Sequence, residues 1–197
     1  MNSINMFETI NNNICKNGEF TPAEIDYFNT LLQYKEVPKK TLLLQEGEIC
    51  NFEAYIIKGC IRKYYIDENG FEVILQFAIE DWWISDISSF HEKKPSNLFI
   101  ETLDDCKLLM LTPETKEKLL HKVPKFERIF RLLVQRNLSS MQNRLINTIA
   151  KTAKEKYVEF IKLYPSIPQR VAQHYIASYL GISAEFLSKI RTKLAKQ

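Results

Sequence analysis

No glycine or proline falls between Pro124 and Pro165, and that absence commits the stretch to long helices. Within it Phe126, Phe130, Val134, Leu138, Met141, Leu145 and Ile149 recur every three or four residues, the period of one helix face. Ile129, Leu132 and Leu133 add a second apolar rail. The spacing predicts one long helix within residues 124–150 and a further helix from Thr152 to Tyr164. A helix with two apolar sides needs two partners. One side fits against the rest of its own chain. The other meets either more of that chain or its twin in a parallel dimer, for which Phe130, Val134, Leu138, Met141 and Leu145 are the candidate interface.

Upstream the texture differs. Ile4, Phe7, Ile10 and Ile14 predict a helix over Asn5–Cys15. Thr21-Pro22, a cap and a proline at the first helical position, starts a second helix running to about Gln33. From Thr41 short β-branched and aromatic runs take over: Leu42–Leu44, Ala54–Ile57, Ile61–Ile66, Phe71–Phe77, Phe99–Leu103 and Lys107–Leu111. Turn residues separate them, and Asn69-Gly70 between two such runs is a hairpin signal. This pattern predicts an antiparallel barrel or roll, closed by Thr112-Pro113 and a short helix holding Leu119 and Leu120.

The segment Gln173–Lys193 reads as a helix-turn-helix. Ile176, Leu180, Leu187 and Ile190 face inward, Ala177 is small where two helices cross, Gly181 supplies the positive φ of a helix end, and Ser183 caps the second helix. Gln173, His174, Ser183, Ala184, Glu185, Ser188, Lys189, Arg191 and Lys193 remain as the candidate DNA-binding set, with Arg170 a further candidate for backbone contact. Any helical hairpin needs a glycine stop and a serine cap, but charge favours DNA. From Lys151 onward nine Lys/Arg face three Asp/Glu, in a chain whose net charge is only +3.

Composition, at 45% hydrophobic and 26% charged over 197 residues, is that of a globular protein of one or two domains. No membrane-length apolar run and no signal-peptide layout occur, so a cytoplasmic location is expected. Cys15, Cys50, Cys60 and Cys106 are scattered, as are His91, His121 and His174, and no metal or haem site is expected. There is no Gly-rich phosphate loop and no nucleophile elbow, so neither catalytic residues nor enzyme activity are expected.

A strand-rich roll, a long helix and a C-terminal helix-turn-helix, in that order, resemble the Crp/Fnr superfamily of bacterial transcription regulators, particularly its short Bacteroidetes-type members. The likeness rests on Gly47-Glu48, Tyr55–Gly59, the Asp67–Gly70 turn, Asp81–Phe90 and Ile176–Ser183. It implies an α+β fold: an N-terminal antiparallel β-roll of the cyclic nucleotide-binding or cupin kind over residues 1–123, a dimerisation helix over 124–150, and a reduced winged helix-turn-helix over 151–197. The wing is expected to be reduced because only Ala195, Lys196 and Gln197 follow Leu194.

In that family, members that bind cyclic AMP carry a Gly-Glu pair for the ribose and, about ten residues on, an Arg-Ser pair for the phosphate. Here Ser85-Asp86 and Ser96-Asn97 align with them; together with Trp83 they make the candidate effector pocket, although core packing is the more usual role for Trp82 and Trp83. No cation aligns with the arginine. A phosphate buried without one costs several kcal/mol, so cyclic AMP is not expected as an effector, and no cofactor is assigned. The resemblance implies a homodimer on double-stranded DNA, with RNA polymerase as a further partner, laying its second helices (Ala184 to about Lys196) in successive major grooves. Glu185 and Lys189 stand where base edges are read, and Phe186 within reach of a thymine methyl. The competing reading is a sensor that binds an effector and acts through a protein partner, with the hairpin as scaffold.

Overall fold

In the computed structural model, which describes residues 6–195, Thr21 caps a helix as its residue type requires. Its hydroxyl accepts from the Glu24 N–H while Glu24 bonds back to the Thr21 N–H, and Pro22 opens the first turn. This helix, α2 (Pro22–Leu31), follows α1 (Glu8–Cys15). Ile4 and Asn5, read as part of the first helix, lie outside the described residues, as do Lys196 and Gln197.

Residue 33 is a correction. Gln33 begins a strand, β1 (Gln33–Val37), where the sequence suggested the end of a helix. Only Val37 of this strand is buried, so its side chains carry no strand signal. Its place comes from antiparallel pairing with β8 (Cys106–Leu111), Gln33 opposite Met110 through Val37 opposite Cys106. Between them come β2 (Leu42–Leu44), β3 (Glu53–Lys58), β4 (Ile61–Ile66), β5 (Glu72–Ala78), β6 (Trp83–Ile84), α3 (Ile87–Glu92) and β7 (Phe99–Thr102). The strands form two four-stranded sheets, ordered β1-β8-β3-β6 and β2-β7-β4-β5. Helix α3, with His91 in its last turn, was not expected from the sequence.

Period-two burial then divides the core. Ala54, Ile56, Leu108 and Met110 pack with Leu44, Ile61, Ile84 and Ile100, residues drawn from both sheets. Their neighbours Tyr55, Leu109 and Leu111 point the other way and pack with Ile10, Ile14, Phe28, Leu119, Phe126 and Ile129 of the helices. Gly59 is fixed by crowding: at φ +117°, a Cβ there would lie 2.4 Å from Cys106 Sγ.

After α4 (Pro113–Lys122) comes α5 (Lys125–Ala150), 26 residues without a break, as the missing glycines and prolines predict. Then follow α6 (Ala153–Leu163), α7 (Ile167–Arg170), α8 (Gln173–Leu180) and α9 (Ala184–Leu194). The chain divides into two compact units. One holds the residues up to Lys63 together with Phe77–Gln135; the other holds Tyr64–Gln76 together with the residues from Arg136 onward. No helix among the described residues is long and apolar enough to cross a membrane.

Candidate nucleic-acid interface

Helices α8 and α9 meet through Ile176, Ala177, Leu180, Leu187 and Ile190, all buried. Gly181 ends α8 in the left-handed conformation, at φ 67° and ψ 40°, and the Ile182 N–H returns to the Ala177 carbonyl. Two residues later Ser183 caps α9, its hydroxyl accepting from the Phe186 N–H at 3.2 Å. The turn chemistry expected from the sequence is therefore in place.

The outer face follows. Glu185, Ser188, Lys189, Arg191 and Lys193 are exposed, and Phe186 is half exposed. Bonds from its own N–H and from the Ser183 hydroxyl hold the Glu185 carboxyl below the usual carboxylate range, so it stands ionised as a pure acceptor. Ala184 is half-buried, and its carbonyl accepts from Gln173 Nε2 at 3.3 Å. Gln173 Oε1 accepts in turn from Arg191 at 3.1 Å. These two residues thus tie the start of α8 to α9. His174 is exposed beside the Tyr175 ring.

Behind the pair stands α6, whose start is fixed by a reciprocal Thr152–Glu155 capping box. Phe160 and Tyr164 from α6 and its end meet Tyr179 of α8, with centroids 5.3 and 6.3 Å away. Burial pushes the Tyr164 hydroxyl above the usual phenol range, aided by neighbouring Tyr179. Arg144 stacks on the same Tyr179 ring at 4.1 Å. Sequence reading missed this aromatic-cation cluster. The spacing of its members within each helix was visible, but their convergence was not.

Along α5 the candidate interface residues part company. Phe130 is buried in this chain's own core, against Trp83 and beneath the Lys116 ammonium at 4.2 Å. It is therefore not an interface residue, because the helix turns that position toward α4. Val134, Leu138, Met141 and Leu145 are exposed, joined by Ile146 and Ile149, the last at 78%.

The aligned effector residues are also divided. Ser85, Asp86 and Ser96 are brought together: Asp86 Oδ2 accepts from Ser96 Oγ at 2.7 Å, and Asp86 caps α3 by accepting from the Ser89 N–H. Asn97 is exposed. Trp83 packs edge-on to Tyr55 with the helical cluster, while Trp82 joins the cluster shared by both sheets. Adjacent strand residues face opposite ways, which separates Trp82 from Trp83. The expectation of no cation needs correction too. Lys63 of β4, half-buried, donates to the Ser85 carbonyl at 3.1 Å. Desolvation lowers its pKa, and the Asp86 charge counters that effect. The alignment followed residues 85–97, and Lys63 comes from a strand outside them. Asp86 is thus bonded to Ser96 and faces Lys63, so the polar atoms of this group find partners within the chain.

Among the described residues no group of three or more His, Cys, Asp or Glu is arranged to hold a metal ion.

Comparison with known proteins returns a consistent set. Residues 34–123 match the cyclic nucleotide-binding domain family. The cAMP-activated global transcriptional regulator CRP of Salmonella typhimurium is 22% identical over 139 residues, 71% of this chain and 63% of that one, so the match spans under two thirds of the relative's length. The anaerobic regulatory protein of Haemophilus influenzae is 22% identical over 195 residues, 93% of this chain and 75% of that one. The solved structure of FixK2 from Bradyrhizobium japonicum shares the fold, with a TM-score of 0.75 at 17% identity, covering 84% of this chain and 85% of that one.

Proposed function

We propose that this chain, which resembles regulators of the Crp/Fnr family, is a cytoplasmic, homodimeric, sequence-specific DNA-binding transcription regulator that does not respond to cyclic AMP. The observation that carries the reading is the division of α9. Leu187 and Ile190 are buried while Glu185, Ser188 and Lys189, which share its opposite side, are exposed and make no packing contact that α9 needs. A basic helix pair with a solvated second helix is what insertion into a major groove requires. Glu185 accepts from a cytosine amino group and Lys189 donates to guanine. Ser183, Ala184 and the N-terminus of α9 approach a phosphate, as do His174 and Lys193. Gln173 and Arg191 act together, presenting the guanidinium from a fixed position.

The exposed Val134–Leu138–Met141–Leu145 stripe supports pairing of two long helices, and twofold proteins match palindromic sites. RNA polymerase is the partner such a regulator would address. Insensitivity to cyclic AMP is supported by the Asp86–Ser96 bond, which already occupies the carboxylate aligned with the ribose contact. Electrophoretic mobility shift with genomic fragments tests the function. A saturable, salt-dependent shift that resists nonspecific competitor is expected; a shift abolished by any excess DNA would leave the sensor reading in its place.

A further inference from the structure

The β4–β5 hairpin is bonded directly to the first helix of the pair. Ser178 Oγ on α8 accepts from the Ile74 N–H at 3.0 Å and donates to the Glu72 carbonyl at 2.7 Å. It thereby meets two of the polar groups that this edge strand leaves open. Arg144 adds a second fastening. Its Nη2 donates to the carbonyls of Ile74 at 2.8 Å and Tyr179 at 2.9 Å, and its Nη1 to that of Leu75. Among the described residues, three carbonyls and the Tyr179 ring, rather than a carboxylate, hold this half-buried guanidinium. Burial accordingly lowers its pKa.

The charge of the fastened segment is one-sided. Residues 64–76 contain Asp67, Glu68 and Glu72 and no lysine or arginine. They belong to the same compact unit as α6 to α9, which carries most of the chain's excess positive charge. Glu68 is exposed, and Asp67 is held in the turn by the N–H groups of Asn69 and Phe71. A polyanion approaching the helix pair therefore meets carboxylates fixed there by Ser178 and Arg144. Hydroxyl-to-backbone bonds exchange for water at small net cost, so the fastening is separable.

We propose that the β4–β5 hairpin is a latch on α8, closed by Ser178 and Arg144, that restrains DNA binding by holding acidic residues on the basic helix unit. This rests on the DNA-binding reading above. The test uses the full chain and two variants. Ser178→Ala removes both hydroxyl bonds, whereas Glu68→Gln removes a charge and leaves the latch closed. Amide exchange at Ile74, measured without DNA, should quicken in Ser178→Ala and stay as in the parent in Glu68→Gln. Affinity for a duplex obtained by selection should rise roughly three- to tenfold in Ser178→Ala, with steeper salt dependence, and rise in the same sense in Glu68→Gln. Unchanged or weaker affinity in either variant overturns the latch. If the parent chain binds no duplex at all, the DNA-binding reading itself has failed and the latch falls with it.

Discussion

Asp86 and Ser96, ten positions apart and both buried, share a hydrogen bond of 2.7 Å. The Asp86 carboxylate also caps α3 and faces the Lys63 charge. A ribose hydroxyl would have to displace the Ser96 bond, and a phosphate would have to draw Lys63 from the Ser85 carbonyl. Calorimetric titration with cyclic AMP and with cyclic GMP should therefore give no saturable heat. A micromolar affinity for either would contradict this account of the group.

Lys189 and Glu185 stand exposed on α9. Lys189→Ala should weaken specific binding by about 1–3 kcal/mol and relax preference at one base pair. Competition against a panel of single-base variants of the site checks this. Equal loss on every sequence would make Lys189 a phosphate contact instead.

Leu138 and Phe130 test the division of α5. Leu138→Glu should shift the chain toward monomer in sedimentation and leave its folded stability near that of the parent, since Leu138 is 56% exposed. Phe130→Ala, at a buried position, should cost about 3–5 kcal/mol of stability. An unchanged dimer in Leu138→Glu would move the interface elsewhere.

Tyr55 gives the chain an alkaline limit. Its ring is fully buried and its hydroxyl donates to Asp81 Oδ1 at 2.6 Å. Burial, then the Asp81 carboxylate, holds its pKa well above a tyrosine's usual 10.0. The unfolded chain thus loses this proton first. Stability is fully present below that usual value and falls as pH rises through it. Denaturant unfolding across this range should show the fall, and Tyr55→Phe should flatten it. An identical alkaline slope in the variant would contradict the assignment.

Much of this architecture was legible because backbone chemistry imposed it. Thr21-Pro22, Asn69-Gly70 and Gly181-x-Ser183 announce a helix start, a hairpin turn and a helix-turn-helix junction, and each stands where its residue types require. The unbroken α5 followed from the absence of helix breakers. What stayed hidden depends on partners distant in sequence. Strand β1 is mostly polar and owes its state to β8. Phe130 and Val134 share a helical period, yet only Phe130 meets α4 and Trp83. Lys63 reaches Ser85 from another strand, and Arg144 finds β5 some seventy residues upstream. Local pattern specifies an element's type; which side of it meets a neighbour is settled by the packed chain.

The most direct test of the central claim is selection from random duplex DNA with the purified full chain, followed by sequencing of the bound pool. The account predicts enrichment of an inverted repeat whose half-sites lie about one helical turn apart, with the enriched base pairs altered by substitutions at Glu185 and Lys189. A pool with no enriched sequence, or an enrichment indifferent to both residues, would contradict it.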